Sequence, residues 1–126
     1  MTILIVEDNA SVRRLLRTVL NGLASEIWEC ADGADAAAAY AEHRPDVVLM
    51  DFQMPKMDGI AATRQLISLD ASATVVMVTD HYETGLEREA LQAGVCAFTS
   101  KIDLLEVAPL LEQLRLDGRI RPHHDQ

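Results

Sequence analysis

The sequence predicts an α/β protein in which five parallel strands form a doubly wound sheet with helices on both faces. Five short apolar segments rich in β-branched residues alternate with five segments of helical periodicity. The apolar residues of the strand segments are mostly consecutive, as in strands buried on both faces of a parallel sheet. The 126 residues suffice for one core of ordinary size. We therefore expect a (βα)5 arrangement with strand order 2-1-3-4-5.

Each predicted element has its own signal in the sequence. Short apolar runs predict strands over residues 2–6, 26–31, 46–50, 73–79 and 95–100. Residues repeating at helical spacing predict helices over 9–23, 34–43, 60–67, 86–93 and 104–114. Gly94 stands where the fourth helix should stop. Asp103 is placed to cap the fifth helix, and Pro109 inside that helix predicts a distorted first turn or a kink.

The charge of the chain bears on its partners and its location. Twenty acidic against eleven basic side chains give a formal net charge of −9, which disfavours direct binding to nucleic acid. We interpret Arg13, Arg14 and Arg17 as the solvated face of the first helix. There is no apolar run near the roughly 20 residues that span a bilayer, and no basic leader. The expectation is a cytoplasmic protein with no membrane contact.

The domain boundary and the cysteines follow from the same pattern. We expect one domain over residues 1–116 and a loose polar tail over 117–126. Cys30 and Cys96 fall on strands two and five, at opposite edges of the proposed sheet. Four strand spacings of about 4.8 Å separate them, far beyond the reach of a disulfide. Both are therefore predicted to be free thiols.

Polar residues follow the predicted strands at their carboxyl ends. Glu7 and Asp8 follow strand one, Asp51 follows strand three, Thr79 ends strand four and Lys101 follows strand five. Each acid taken alone fits a helix cap. Three acids at converging strand ends instead favour an oxygen-rich site for a divalent cation, with Mg²⁺ the best match. Asp51 is then a candidate nucleophile that forms an acyl phosphate, with Lys101 and Thr79 donating to phosphate oxygens.

Four segments resemble the receiver domain of two-component response regulators, in particular the stand-alone regulators of chemotaxis. They are "LIVEDN", "RPDVVLMDFQMPKMDG", "VVMVTD" and "AGVCAFTSK", and the resemblance covers residues 2 to 116. It implies a flavodoxin-like (βα)5 fold and a role in phosphorelay signalling. A sensor histidine kinase or a phosphotransfer protein would donate a phosphoryl group to Asp51. The protein would catalyse only its own phosphorylation and dephosphorylation, and so would not be an enzyme.

The resemblance also implies a role for each site residue. Asp8, Asp51 and the backbone carbonyl of Gln53 would bind Mg²⁺ directly, and Glu7 would act mainly through bound water. Thr79 and Lys101 would each contact an oxygen of the phosphoryl group. Phe98 stands at the position of the aromatic residue that turns inward on activation, where Tyr is more usual.

Some positions depart from the common pattern of this family. Ile102 replaces a Pro that often follows the lysine in a cis bond, so a trans peptide is expected here. Asp80 replaces a small residue and adds a carboxylate beside the site. Gln53, Asp80 and His81 occupy positions that tune the lifetime of the phosphate.

The sequence leaves the output open. With no output domain in the chain, we expect a downstream protein or a second copy to bind the face formed by residues 81–116. The alternative is a receiver fragment of a DNA-binding transcriptional regulator. Two enzymatic or cofactor-binding alternatives fit less well. Phosphatases with an Asp nucleophile have a second Asp where this chain has Gln53, and the two acids of "EDNAS" would repel the phosphate of FMN.

Overall fold

Five parallel strands form one sheet in the order β2-β1-β3-β4-β5. The computed structural model describes residues 1–80 and 85–121. The strands are β1 Thr2–Val6, β2 Glu26–Cys30, β3 Val47–Asp51, β4 Val75–Thr79 and β5 Val95–Ser100. The helices are α1 Ala10–Leu20, α2 Ala36–His43, α3 Gly59–Leu69, α4 Leu86–Ala93 and α5 Val107–Leu116. The predicted fold class and strand order are confirmed.

The central strands are buried on both faces, which explains their consecutive apolar residues. All five residues of β1, β3 and β4 are buried. In β1, Ile3 and Ile5 belong to the core layer that α1 and α5 cover, whereas Leu4 and Val6 belong to the layer under α2, α3 and α4. Burying each such side chain contributes roughly 1.5–3 kcal/mol. The two layers together fix the sheet that supports the strand ends.

Helix boundaries follow local capping chemistry. The Asn9 side chain accepts hydrogen bonds from the backbone N–H groups of Ser11 and Val12 at the start of α1. Gly94 ends α4 with a φ of 117°, as the helix-stop prediction required. A 3-10 turn over Leu104–Glu106 precedes α5, and Pro109 is the third residue of that helix, where no intrahelical N–H bond is lost. The first turn of the predicted helix is thus a 3-10 turn, and α5 itself begins at Val107.

The segment after α5 is packed rather than loose, which corrects the expectation for residues 117–121. Ile120 is only 3% exposed and belongs to the core layer under α5. The Thr74 hydroxyl donates to the carbonyl oxygen of Arg119, and the Arg119 guanidinium donates to the carbonyl oxygen of Cys96. Ile120, an apolar residue in a polar stretch, thus packs residues 117–121 against the core. The rest of the predicted tail, residues 122–126, lies outside the described residues.

The arginines of α1 are not a purely solvated face. Arg13 Nε lies 2.9 Å from Glu29 Oε1, and Arg17 also pairs with the Glu29 carboxylate. Arg13 Nη1 donates to the carbonyl oxygen of Glu7 over 2.7 Å. These contacts tie α1 to the edge strand β2 and to the end of β1. Arg14 and Arg17 are exposed, as the solvated-face interpretation requires, and Arg14 donates to Ser11 within the helix.

The expectations for the two cysteines and for the peptide bond after Lys101 are met. Cys30 and Cys96 are free thiols on the two edge strands, and burial raises the pKa of Cys30 to about 11. Within residues 1–80 and 85–121 every peptide is trans, including the bond from Lys101 to Ile102. No helix in these ranges is long and apolar enough to cross a bilayer.

Candidate functional site

Three carboxylates meet where β1 and β3 lie side by side. Glu7 and Asp8 directly follow β1, and Asp51 is the last residue of β3. One carboxylate oxygen from each residue lies within 4.8 Å of the other two. Glu7 is 2% and Asp51 4% exposed, whereas Asp8 faces solvent. The structure therefore brings together the acids that the sequence placed at this edge.

The ammonium group of Lys101 lies between two of these carboxylates. Its Nζ is 3.0 Å from Glu7 Oε1 and 3.2 Å from Asp51 Oδ2. The backbone N–H of Lys101 donates to the carbonyl oxygen of Thr79, which joins the ends of β4 and β5. If all four groups are ionised, three negative charges face one positive charge. Such a site favours an additional cation.

The pKa values in the site reflect burial opposed by these contacts. Burial raises the pKa of Glu7 to about 7, although the Asn9 N–H and Lys101 act to lower it. Burial also raises the pKa of Asp51, against the opposing charge of Lys101. Burial of Lys101 acts to lower its pKa, but the hydrogen bond to Glu7 and the charge of Asp51 outweigh it and raise the pKa. A dication would favour ionisation of both buried acids.

The backbone around Asp51 is closely packed. Asp51 Oδ1 accepts from the N–H of Phe52 over 2.8 Å, and the Gly59 N–H donates to the Phe52 carbonyl oxygen over 2.7 Å. A Cβ added at Gly59 would lie 2.1 Å from the Asp51 carbonyl oxygen. The start of α3 can approach the end of β3 because Gly59 has no side chain. The Asp58 side chain caps α3 by accepting from the Ala61 N–H.

The loop between β3 and α3, residues 52–58, contains Gln53, whose side chain is exposed. A residue that we did not predict, Asp32, contacts this loop. Its carboxylate accepts from the N–H groups of Lys56 and Met57. The only signal in the sequence was the Asp-Gly pair after strand two, which is typical of a turn.

The other candidate residues surround the site or lie on the same sheet edge. Thr79 is 1% exposed and ends β4, one residue beyond Val78, which pairs in register with Asp51. Phe98 is half-buried and packs against the core layer under α4. Asp80 is exposed. His81 lies outside the described residues.

The donor set fits Mg²⁺. Carboxylate and carbonyl oxygens are its preferred protein ligands, and it usually keeps several waters. Exposed Asp8 leaves one side of the cluster open to solvent, while Glu7 and Asp51 provide buried oxygens. The cluster can therefore hold a hard dication beside Asp51.

A five-stranded parallel α/β sheet with acids at its switch point belongs to the class of doubly wound domains that bind ligands at this edge. The comparisons identify the family. A family model for the response regulator receiver domain matches residues 3–107, so the chain belongs to this family. It is similar to the chemotaxis protein CheY of Bacillus subtilis (strain 168), with 39% identity over 101 residues, covering 79% of this chain and 83% of that protein.

Solved structures agree with this assignment. The response regulator domain of Thermotoga maritima CheB is 32% identical with a TM-score of 0.79, covering 97% of this chain and 98% of that one. A chain of the CheX-CheY-BeF3-Mg²⁺ complex of Borrelia burgdorferi is 26% identical with a TM-score of 0.81, covering 91% and 89%. The resemblance to the receiver domain of two-component response regulators is confirmed.

Proposed function

We propose that Asp51 is the residue at which this response regulator accepts a phosphoryl group from a sensor histidine kinase or a phosphotransfer protein. One observation supports this most directly. Asp51 stands at the end of a buried strand with two further carboxylates within 4.8 Å and the ammonium of Lys101 at 3.2 Å. A structural acid would not need this surrounding, whereas phosphoryl transfer needs fixed geometry and neutralised charge.

The chemistry assigns a role to each residue. A carboxylate oxygen of Asp51 attacks the phosphorus of a phosphohistidine, the P–N bond breaks, and the histidine leaves, so that an acyl phosphate remains on Asp51. Lys101 gives up its contact with Asp51 Oδ2 and pairs with a phosphoryl oxygen. The Thr79 hydroxyl donates to another phosphoryl oxygen.

The cofactor that we propose is Mg²⁺. Asp8, Asp51 and the backbone carbonyl of Gln53 would hold it directly, and Glu7 would hold it through a bound water. When bound, it supplies positive charge that neutralises the phosphoryl oxygens. The carboxylates of the cluster favour this binding because they repel one another in its absence.

The partners follow from this role. We place the protein in the cytoplasm, where it catalyses only its own phosphorylation and dephosphorylation. Its output would go to a downstream protein or a second copy through residues 81–116, with no direct contact to nucleic acid or membrane. The Borrelia burgdorferi complex, in which CheY is bound to CheX with BeF3 and Mg²⁺, supports a protein partner. The alternative, a receiver fragment of a DNA-binding regulator, is no better supported.

The test is phosphorylation by acetyl phosphate with Mg²⁺, followed by intact-mass analysis. We expect one phosphoryl group that hydroxylamine removes, as for an acyl phosphate, and no phosphoryl group on Asp51→Asn. Asp58→Asn is the matched control, because this exposed acid lies in the same segment and Asn caps a helix as well as Asp does. Undiminished labelling of Asp51→Asn would contradict the proposal.

A further inference from the structure

Asp32 lies in the loop that follows β2, and it links this loop to the one between β3 and α3. It is 7% exposed, and its Oδ1 accepts from the Ala34 N–H, two residues along the chain, as a turn-capping Asp commonly does. The carboxylate also accepts from the N–H groups of Lys56 and Met57, at 2.9 and 3.1 Å, from residues 24 and 25 positions later. A local cap requires only the first bond. The other two bonds hold the loop between β3 and α3.

Close packing at Gly33 also holds the loop after β2 against the loop between β3 and α3. A Cβ at Gly33 would lie 2.5 Å from the Met57 carbonyl oxygen. Hydrogen bonds from the N–H groups of Ala34 and Lys56 lower the pKa of Asp32, so that the carboxylate is ionised at neutral pH. Hydrogen bonds to an ionised acceptor are the stronger ones. Residues 56–57 are therefore held by polar contacts and by close packing together.

The fixed loop contains Gln53. The first residue of this loop, Phe52, is held by the hydrogen bond from the Gly59 N–H to its carbonyl oxygen. Met54 is only 8% exposed and belongs to the core. Asp32 provides the third anchor, at Lys56 and Met57. Gln53 lies between Phe52 and Met54 in the chain, and it lines a surface cavity together with Asp8. Its main-chain position therefore depends on all three.

We propose that Asp32 is a positioning residue for the Mg²⁺ site, holding residues 52–58 so that the Gln53 carbonyl stays beside Asp8 and Asp51. The inference rests on the proposed function, because it assumes that this carbonyl is a ligand. Residues that orient metal ligands typically change metal affinity 10- to 100-fold when mutated.

The experiment is a titration with MgCl2 followed by amide NMR on the wild type, Asp32→Ser and Gly33→Ala. Ser keeps a hydroxyl that can cap Ala34 but is too short to reach Lys56 and Met57. Gly33→Ala keeps Asp32 and pushes the two loops apart. For both variants we expect the Mg²⁺ dissociation constant to rise about tenfold. Amide hydrogen exchange at residues 56 and 57 should become faster.

Asp46→Asn is the matched control. Asp46 is 3% exposed and accepts from the Thr2 N–H at the opposite edge of the sheet, so this variant disturbs a buried Asp with a backbone partner far from the site. Its Mg²⁺ affinity should equal that of the wild type. Equal weakening in Asp46→Asn would overturn the proposal, because general destabilisation would then explain the effect.

A second result would also overturn the proposal. Asp32→Ser would bind Mg²⁺ as tightly as the wild type although its amide hydrogens at residues 56 and 57 exchange faster. If Asp32→Ser does not fold, Gly33→Ala decides by the same criteria. Failure of the proposed function is distinguishable, since the wild type itself would then bind no Mg²⁺ or take no label at Asp51.

Discussion

The ammonium nitrogen of Lys101 lies 3.0 Å from Glu7 Oε1, closer than its 3.2 Å to Asp51 Oδ2. The lysine therefore neutralises a buried glutamate as well as the proposed phosphoacceptor. Glu7 is 2% exposed, and burying a carboxylate without a partner is costly. When a phosphoryl group draws Lys101 away, Glu7 needs another source of positive charge. The proposed Mg²⁺ would meet that need.

The first prediction concerns the metal-free protein and pH. Burial raises the pKa of Glu7 from 4.5 to about 7 in the folded protein, so the folded protein holds this proton more tightly than the unfolded chain does. The contribution of this group to stability is therefore fully present below pH 4.5 and is lost as pH rises through 7. Glu7→Gln cannot titrate there and should flatten the profile.

Urea unfolding in EDTA at a series of pH values measures this effect. The free energy of unfolding of the wild type should fall relative to that of Glu7→Gln as the pH rises from 4.5 to about 7. Parallel pH profiles for the two proteins would show that Glu7 does not titrate in this range.

The second prediction concerns Gly59. Ala at this position places a Cβ 2.1 Å from the Asp51 carbonyl oxygen, so the end of β3 or the start of α3 must shift. We expect a loss of about 1–3 kcal/mol in the free energy of unfolding from overpacking, together with slower phosphorylation of Asp51. Urea unfolding and labelling with acetyl phosphate measure the two effects.

Gly22→Ala is the control for Gly59→Ala. Apart from its neighbours in the chain, no described residue has an atom within 4 Å of a Cβ built there, so neither stability nor labelling should fall. Equal labelling rates in Gly59→Ala and Gly22→Ala would show that the close approach of α3 does not position Asp51.

The sequence predicted the parts of this protein that depend on local pattern. Strand ends are visible in a sequence, so Asp51 and Lys101 could be assigned to one edge once a parallel sheet was inferred. Contacts between distant segments left no such signal. The docking of Ile120 and the pairing of Arg13 with Glu29 depend on which elements pack together. Asp32 was missed for the same reason, because its partners are 24 and 25 residues away.

The third prediction concerns the lifetime of the phosphate. Gln53 and His81 stand two residues after Asp51 and Thr79 in the sequence, at positions that the family resemblance implies tune the lifetime of the phosphate; His81 lies outside the described residues. Alanine at either position should change the rate of dephosphorylation, because it alters how water reaches the phosphorus. The Mg²⁺ dependence should persist, since neither side chain is proposed as a ligand. Decay of the phosphoprotein, followed by intact mass, tests this, and unchanged decay in both variants would refute it.

The last prediction concerns the output surface. In α4, the described residues Ala90 and Ala93 are buried, while Leu91 is 50% exposed, so this helix contributes little apolar burial. Phe98, on the neighbouring β5, is half-buried against the same core layer. Phosphate at Asp51 should draw Thr79 inward and make room for the Phe98 ring. Turning such a ring between exposed and buried states shifts roughly 1–3 kcal/mol, which is enough to bias a two-state equilibrium.

Amide NMR on the free and beryllofluoride-bound forms tests this coupling. We expect chemical-shift changes across residues 81–116, and we expect them to be attenuated in Phe98→Ala, which lacks the ring that transmits the change. Leu15→Ala is the control, since Leu15 is a 54% exposed residue of α1 on the other face of the sheet, and it should retain the wild-type pattern. Changes confined to the loops around Glu7, Asp51 and Thr79 would show that this face does not transmit the signal. If the chemical-shift changes in Phe98→Ala are as large as those in the wild type, another side chain transmits the signal.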